Sequence, residues 1–153
     1  MKVIQVNQTS IRRASKDERF VRSACEQIIK YFFNKKVRNK KLLTQKKEMT
    51  VVFLTKSQIK NINRQFRKKN KPTDILSFGS DDPNSLGELL ICNEIIKRQA
   101  RDHSHSIEAE MLYMLIHGVL HLLDYDHERS KKEDFLMMRV QDRCFEKLLS
   151  SLV

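Results

Sequence analysis

Apolar residues along this chain recur with two periods, and the switch between them marks the elements. Val3 to Val6 reads as a short strand. From Asp17 to Phe33, the positions Val21, Cys25, Ile28, Ile29 and Phe32 return every three or four residues, which predicts a helix. Residues 34–47 are polar and lysine-rich and read as a connection. Thr50 to Leu54 is β-branched and apolar, the pattern of a buried strand. Thr55-Lys56-Ser57-Gln58 fits a capping box, and Ile59, Ile62 and Phe66 then line one helical face. Pro72 is expected to end that helix. Asp74–Phe78 and Leu86–Cys92 read as strands, separated by the turn-rich segment 80–85. Asn93 is expected to cap a short helix through Ala100. Ser106 opens a helix to about Leu123 that is apolar nearly all round, so it is expected at the centre of the core. Ser130 and Glu133 suggest a second capping box, followed by a last helix carrying Phe135, Met138, Phe145, Leu149 and Leu152 on one side.

This order predicts an α+β fold: a small mixed four-stranded sheet packed with about five helices. The 153 residues suit one domain, 1–153, and with three Gly and two Pro there is little linker material.

Charge adds a partner class. There are 30 Lys+Arg against 19 Asp+Glu, a net +11, which favours an anionic partner. The longest apolar run, Met111 to Ile116, is far below the ~20 residues that span a bilayer, so no membrane role is expected. The first residues lack a signal-peptide apolar core. Cys25, Cys92 and Cys144 are scattered, without a C-x-x-C pair, and read as small core residues of a protein in a reducing compartment, the cytoplasm.

The candidate chemistry lies on the central helix. His117 and His121 are four residues apart, so both imidazoles project from one face and can reach a single ion. His127 follows after enough residues to end the helix and return with a third ligand. Asp124 is a suitable terminator because Asp tolerates the left-handed conformation. Zinc is the expected ion, one per chain, with another divalent transition metal as the alternative. Three protein ligands leave a position open, the catalytic arrangement, in which an ion polarises an anionic oxygen. The residue after the first histidine is Gly118, where zinc proteases of the H-E-x-x-H type carry their general base. His103 and His105 lie in a polar stretch and are not assigned to the metal.

The run from His117 through Asp126 to His127 resembles the H-G-x-L-H-L-x-G-Y-D-H signature of the YbeY family, bacterial rRNA-processing metalloproteins. Ile62-Asn63-Arg64-Gln65-Phe66-Arg67 resembles the family's L-N-x-x-Y-R, Lys71–Phe78 its K-P-T-D-V-L-S-F, and Gly87–Cys92 its G-D-I-x-I-C. The resemblance implies a single-strand endoribonuclease acting on ribosomal RNA, in maturation of the small-subunit RNA 3′ end and in ribosome quality control. It implies ribosomal RNA and the small subunit as partners, zinc on His117, His121 and His127, and a functional Arg67. Asp124 replaces the motif glycine, Gly79 stands where proline often follows, and Glu88 replaces Asp. The first departure bears on where His127 falls.

Arg67 is also a candidate on chemistry alone, because a guanidinium binds phosphate oxygens through paired hydrogen bonds and stays charged. With His117 and His121 it forms the expected catalytic set. A second basic run, Lys35, Lys36, Arg38, Lys40, Lys41, Lys46 and Lys47, is either a solvated surface or a track for an RNA backbone. Two other classes stay open: a ribosome-associated binding protein with a mainly structural metal, and a metallopeptidase.

Overall fold

The computed structural model describes residues 2–7, by their backbone, and 15–153. The elements run β1 (Lys2–Asn7), α1 (Lys16–Phe33), α2 (Lys41–Gln45), β2 (Glu48–Phe53), α3 (Lys56–Arg67), β3 (Ile75–Gly79), β4 (Ser85–Ile91), α4 (Asn93–Asp102), α5 (Ile107–Leu122) and α6 (Lys131–Leu152). The four strands form one mixed sheet in the order β1-β2-β4-β3. β1 and β4 each pair parallel to β2, and β3 pairs antiparallel to β4. The chain thus crosses from β2 to the far edge through α3, then turns back so that β4 slots between β3 and β2.

Alternation along the inner strands sends apolar side chains to both faces of the sheet. Val51, Leu89 and Ile91 join the larger core, built with α1, α5 and α6, while Val52, Leu90 and Cys92 join a second cluster with Ile59 of α3 and Ile95 of α4. A strand covered on both sides needs consecutive apolar residues, as in Val51–Phe53 of β2 and Leu89–Ile91 of β4. α5 is the hub and packs on α1, α4, α6, β3 and β4. Its Leu112, Leu115, Ile116, Val119 and Leu120 are fully buried, each contributing about 1.5–3 kcal/mol over the exposed state.

Most helix starts follow their local signals. Ser15, Ser106 and Ser130 each accept a hydrogen bond from the backbone N–H three residues on, and Thr55 with Gln58 forms the full reciprocal box. At Ser130 the box is half made, because the Glu133 carboxylate turns to Arg38.

Four expectations are corrected. The lysine-rich connection contains a sixth helix, α2, anchored by buried Leu43. α3 ends well before Pro72, at Lys68 in the left-handed conformation (φ 57°), whose N–H donates to the Asn63 carbonyl. Asn93 is the first residue of α4 rather than its cap, and its amide donates to Asp17. α6 is rotated from the expected face: Met137, Gln141, Cys144 and Leu148 are buried, whereas Phe135 and Met138 are exposed.

Candidate metal centre

α5 docks on the sheet through Gly118. A Cβ there would stand 2.8 Å from Ile75 Cδ1 and 2.9 Å from Leu89 Cδ2, so the glycine allows the close approach. The Ser77 hydroxyl donates to the Gly118 carbonyl at 3.2 Å and fixes the helix against β3. That contact sets the height of His117 and His121, one turn apart on the neighbouring face.

The helix then stops in a way that delivers His127. Asp124 takes the left-handed conformation (φ 69°). Its N–H donates to the His121 carbonyl and that of Tyr125 to the Leu120 carbonyl, at 3.0 Å each. These are the two bonds of a Schellman ending, with Asp where glycine is usual. Replacing the motif glycine therefore keeps the turn. Arg129 binds the Asp124 carboxylate and holds it below the usual carboxylate range. Arg38 Nη1 donates to the Asp124 carbonyl at 2.9 Å, and Asn39 Nδ2 to the Leu123 carbonyl at 3.0 Å.

The three histidines converge. One nitrogen from each of His117, His121 and His127 lies within 4.8 Å of the other two, and the Nε2 atoms of His117 and His121 are 3.0 Å apart. A tetrahedral ion with bonds of ~2.0–2.1 Å spaces its nitrogen ligands by roughly 3.3 Å, so the cluster fits such an ion with small adjustment. Among the described residues, no further His, Cys, Asp or Glu belongs to the group. The Nδ1 of His127 is buried without a hydrogen-bond partner, the state of a nitrogen that needs an ion or a water.

Gln141, from α6, is the residue that the sequence reading missed. It is 4% exposed, and its Oε1 accepts from His117 Nδ1 at 3.1 Å. An amide oxygen only accepts, so the bond fixes the tautomer and leaves the His117 Nε2 lone pair directed at the cluster. The signal was a lone polar side chain on an apolar face, hidden by the rotated register expected for α6.

Burial lowers the pKa of His117, with the Gln141 bond opposing the shift; burial and then the other two histidines push His121 down to about 4. Both are thus neutral near pH 7, the form that binds a metal.

The cluster opens into a cleft of about 440 Å³, and Arg67, Lys69 and Lys71 lie on its wall with Asp74 and Ser77. Asn63, buried at the back of α3, donates to the Lys71 carbonyl at 2.8 Å and holds this loop in place. Arg67 Nη2 donates to the Ser77 carbonyl at 3.0 Å, and its guanidinium lies 5.4 Å from the Phe78 ring centre. The expected set of Arg67, His117, His121 and His127 thus shares one cleft.

His103 and His105 stand apart. Their Nδ1 atoms face the buried Glu110 carboxylate at 3.3 and 3.4 Å and tie the α4–α5 loop to α5. Arg38, counted in the second basic run, is committed to the fold: besides the Asp124 carbonyl it binds both Glu133 carboxylate oxygens.

Comparison with known proteins gives the family. The family profile described as endoribonuclease YbeY matches residues 9–149. An endoribonuclease YbeY of Bdellovibrio bacteriovorus is 42% identical over 99% of this chain and 98% of its own. One of Persephonella marina is 38% identical, covering 87% and 84%. The solution structure of a Thermotoga maritima protein superposes with a TM-score of 0.62 at 26% identity, covering 97% of this chain and 90% of that one. With its three motif histidines gathered and its motif arginine in the same cleft, the chain belongs to the YbeY family of endoribonucleases.

Proposed function

We propose that this chain is a zinc-dependent endoribonuclease that cuts single-stranded RNA in the cleft between the end of α3 and α5. Its proposed substrate is the 3′ region of small-subunit ribosomal RNA, met in the cytoplasm on or near the small subunit, in maturation and in quality control. The observation that carries this reading is the convergence of three imidazole nitrogens in a cleft whose wall holds Arg67.

His117, His121 and His127 are the residues that would hold the ion. Three neutral imidazoles suit zinc and leave its full charge uncompensated, and bound there it supplies Lewis-acid polarisation of a phosphate oxygen. The rest falls to the chain. Gln141 holds the His117 ring in the tautomer that presents Nε2. Arg67 binds the scissile phosphate through its guanidinium and stabilises the charge that builds on the phosphorane-like transition state. Lys69 and Lys71 attract the flanking phosphates. No carboxylate follows His117, so the peptidase base is missing from its place. The buried free thiols of Cys25, Cys92 and Cys144 support a reducing compartment.

The test uses purified zinc-loaded protein and a labelled RNA spanning the small-subunit 3′ end. Single-stranded segments are expected to be cut and a duplex of the same sequence spared. A chelator or the His117→Ala/His121→Ala double variant is expected to abolish cleavage, and Arg67→Gln to slow it by ~10²-fold or more. Equal cleavage by the double variant, or tight binding with no turnover, would overturn the reading; the second result would make the metal structural.

A further inference from the structure

Phe66 is 66% exposed although it sits on α3, whose Ile59 is fully buried. Its ring meets Phe78 edge to face, with centroids 5.4 Å apart and planes at 68°. A T-shaped contact leaves at least one face of the exposed ring free. Phe78 is held in turn by the sheet and by the Arg67 guanidinium. Phe66 therefore stands next to the arginine on the cleft wall, and Phe78 next to Ser77, which lines the same cleft. We propose that Phe66, braced on Phe78, is a stacking shelf for one nucleobase of the RNA strand whose phosphate lies against Arg67.

The inference rests on the reading of the cleft as an RNA site, and it assigns a source to single-strand preference. A base stacks on a side chain only when it is free of its own duplex neighbours, so paired RNA cannot use the shelf. The adjoining cations select this occupant over an apolar peptide: Arg67 meets the same Phe78 ring as Phe66 and lines the cleft with Lys69 and Lys71, which favours a polyanion carrying flat apolar groups.

The chain has no tryptophan, so Phe66→Trp places a lone reporter on the shelf. A 2′-O-methyl single-stranded oligonucleotide, which resists cleavage, is expected to quench its fluorescence, and a backbone-matched abasic strand is not. Phe66→Ala, at an exposed position, is expected to keep its melting temperature. It is expected to weaken binding of the base-bearing strand by ~5- to 150-fold, to the level of the abasic strand. Phe66→Tyr is expected to restore binding. Undiminished binding of the base-bearing strand by Phe66→Ala would overturn the shelf while leaving the RNA cleft standing. Failure of the unaltered protein to bind either strand would overturn both.

Discussion

Gln141 ties α6 to the histidine cluster through one hydrogen bond, and its effect is separable from packing. Gln141→Leu keeps the volume close and removes the acceptor, leaving the His117 ring free to turn. Zinc affinity is expected to fall by roughly 10- to 100-fold with little loss of helix content; competition against a chromogenic chelator measures it. Gln141→Glu keeps an acceptor and is expected to restore most of the affinity. Gly87 makes a different demand. It sits in β4 with φ 141°, a region few side chains enter, and an added Cβ would run into the carbonyl oxygen of Phe78 on the paired strand. Gly87→Ala is expected to cost about 2 kcal/mol or more, read from denaturant midpoints. The reason lies in the backbone, so no repacking of neighbours relieves it.

Between residues and the whole fold, the turn after α5 is the element that decides whether three histidines become a site. Helical periodicity alone pairs His117 with His121, since four residues make about one turn. That part was legible in the sequence, as were the starts at Thr55 and Ser106, because caps are short-range. The return of His127 was legible only as a possibility, for it depends on partners far along the chain. Arg38, from the segment before α2, holds the Asp124 carbonyl, the Glu133 carboxylate and the face of Tyr125 at once. Nothing local marks that arginine among its lysine neighbours. The same limit hid α2, whose five residues are too few for a period, and the rotation of α6, where Phe135 and Met138 offered a second apolar stripe. Arg38→Lys tests the clamp: the charge stays, the forked geometry goes. Metal loading and melting temperature are expected to fall together, and adding excess zinc is expected to recover part of the melting temperature. Loss of melting temperature with full zinc content would separate the clamp from the site.

Across the molecule the net charge of +11 poses the question of where RNA is held, since a diffuse field and a focused site attract it alike. Salt dependence tells them apart. Each phosphate neutralised on a single strand contributes about −0.7 to the slope of log K against log salt. Arg67, Lys69 and Lys71 line the cleft that holds the histidines, Arg67 on the Ser77 carbonyl and Lys69 beside Glu128, whereas no cation of the 35–47 run lines it, and there Arg38 is bound to Glu133 and Lys46 to the Pro83 carbonyl. Changing the three cleft cations to glutamine is therefore expected to flatten the slope by about 2. Changing Lys35, Lys36 and Lys41 to glutamine is expected to flatten it by less than half as much. Titrating a fluorescent, cleavage-resistant strand at several salt concentrations measures both slopes. Equal flattening by the two sets would extend the RNA surface from the cleft to the 35–47 segment. A flatter slope from the second set alone would move phosphate contact away from the histidines, and the assignment of Lys69 and Lys71 to the substrate path would fail.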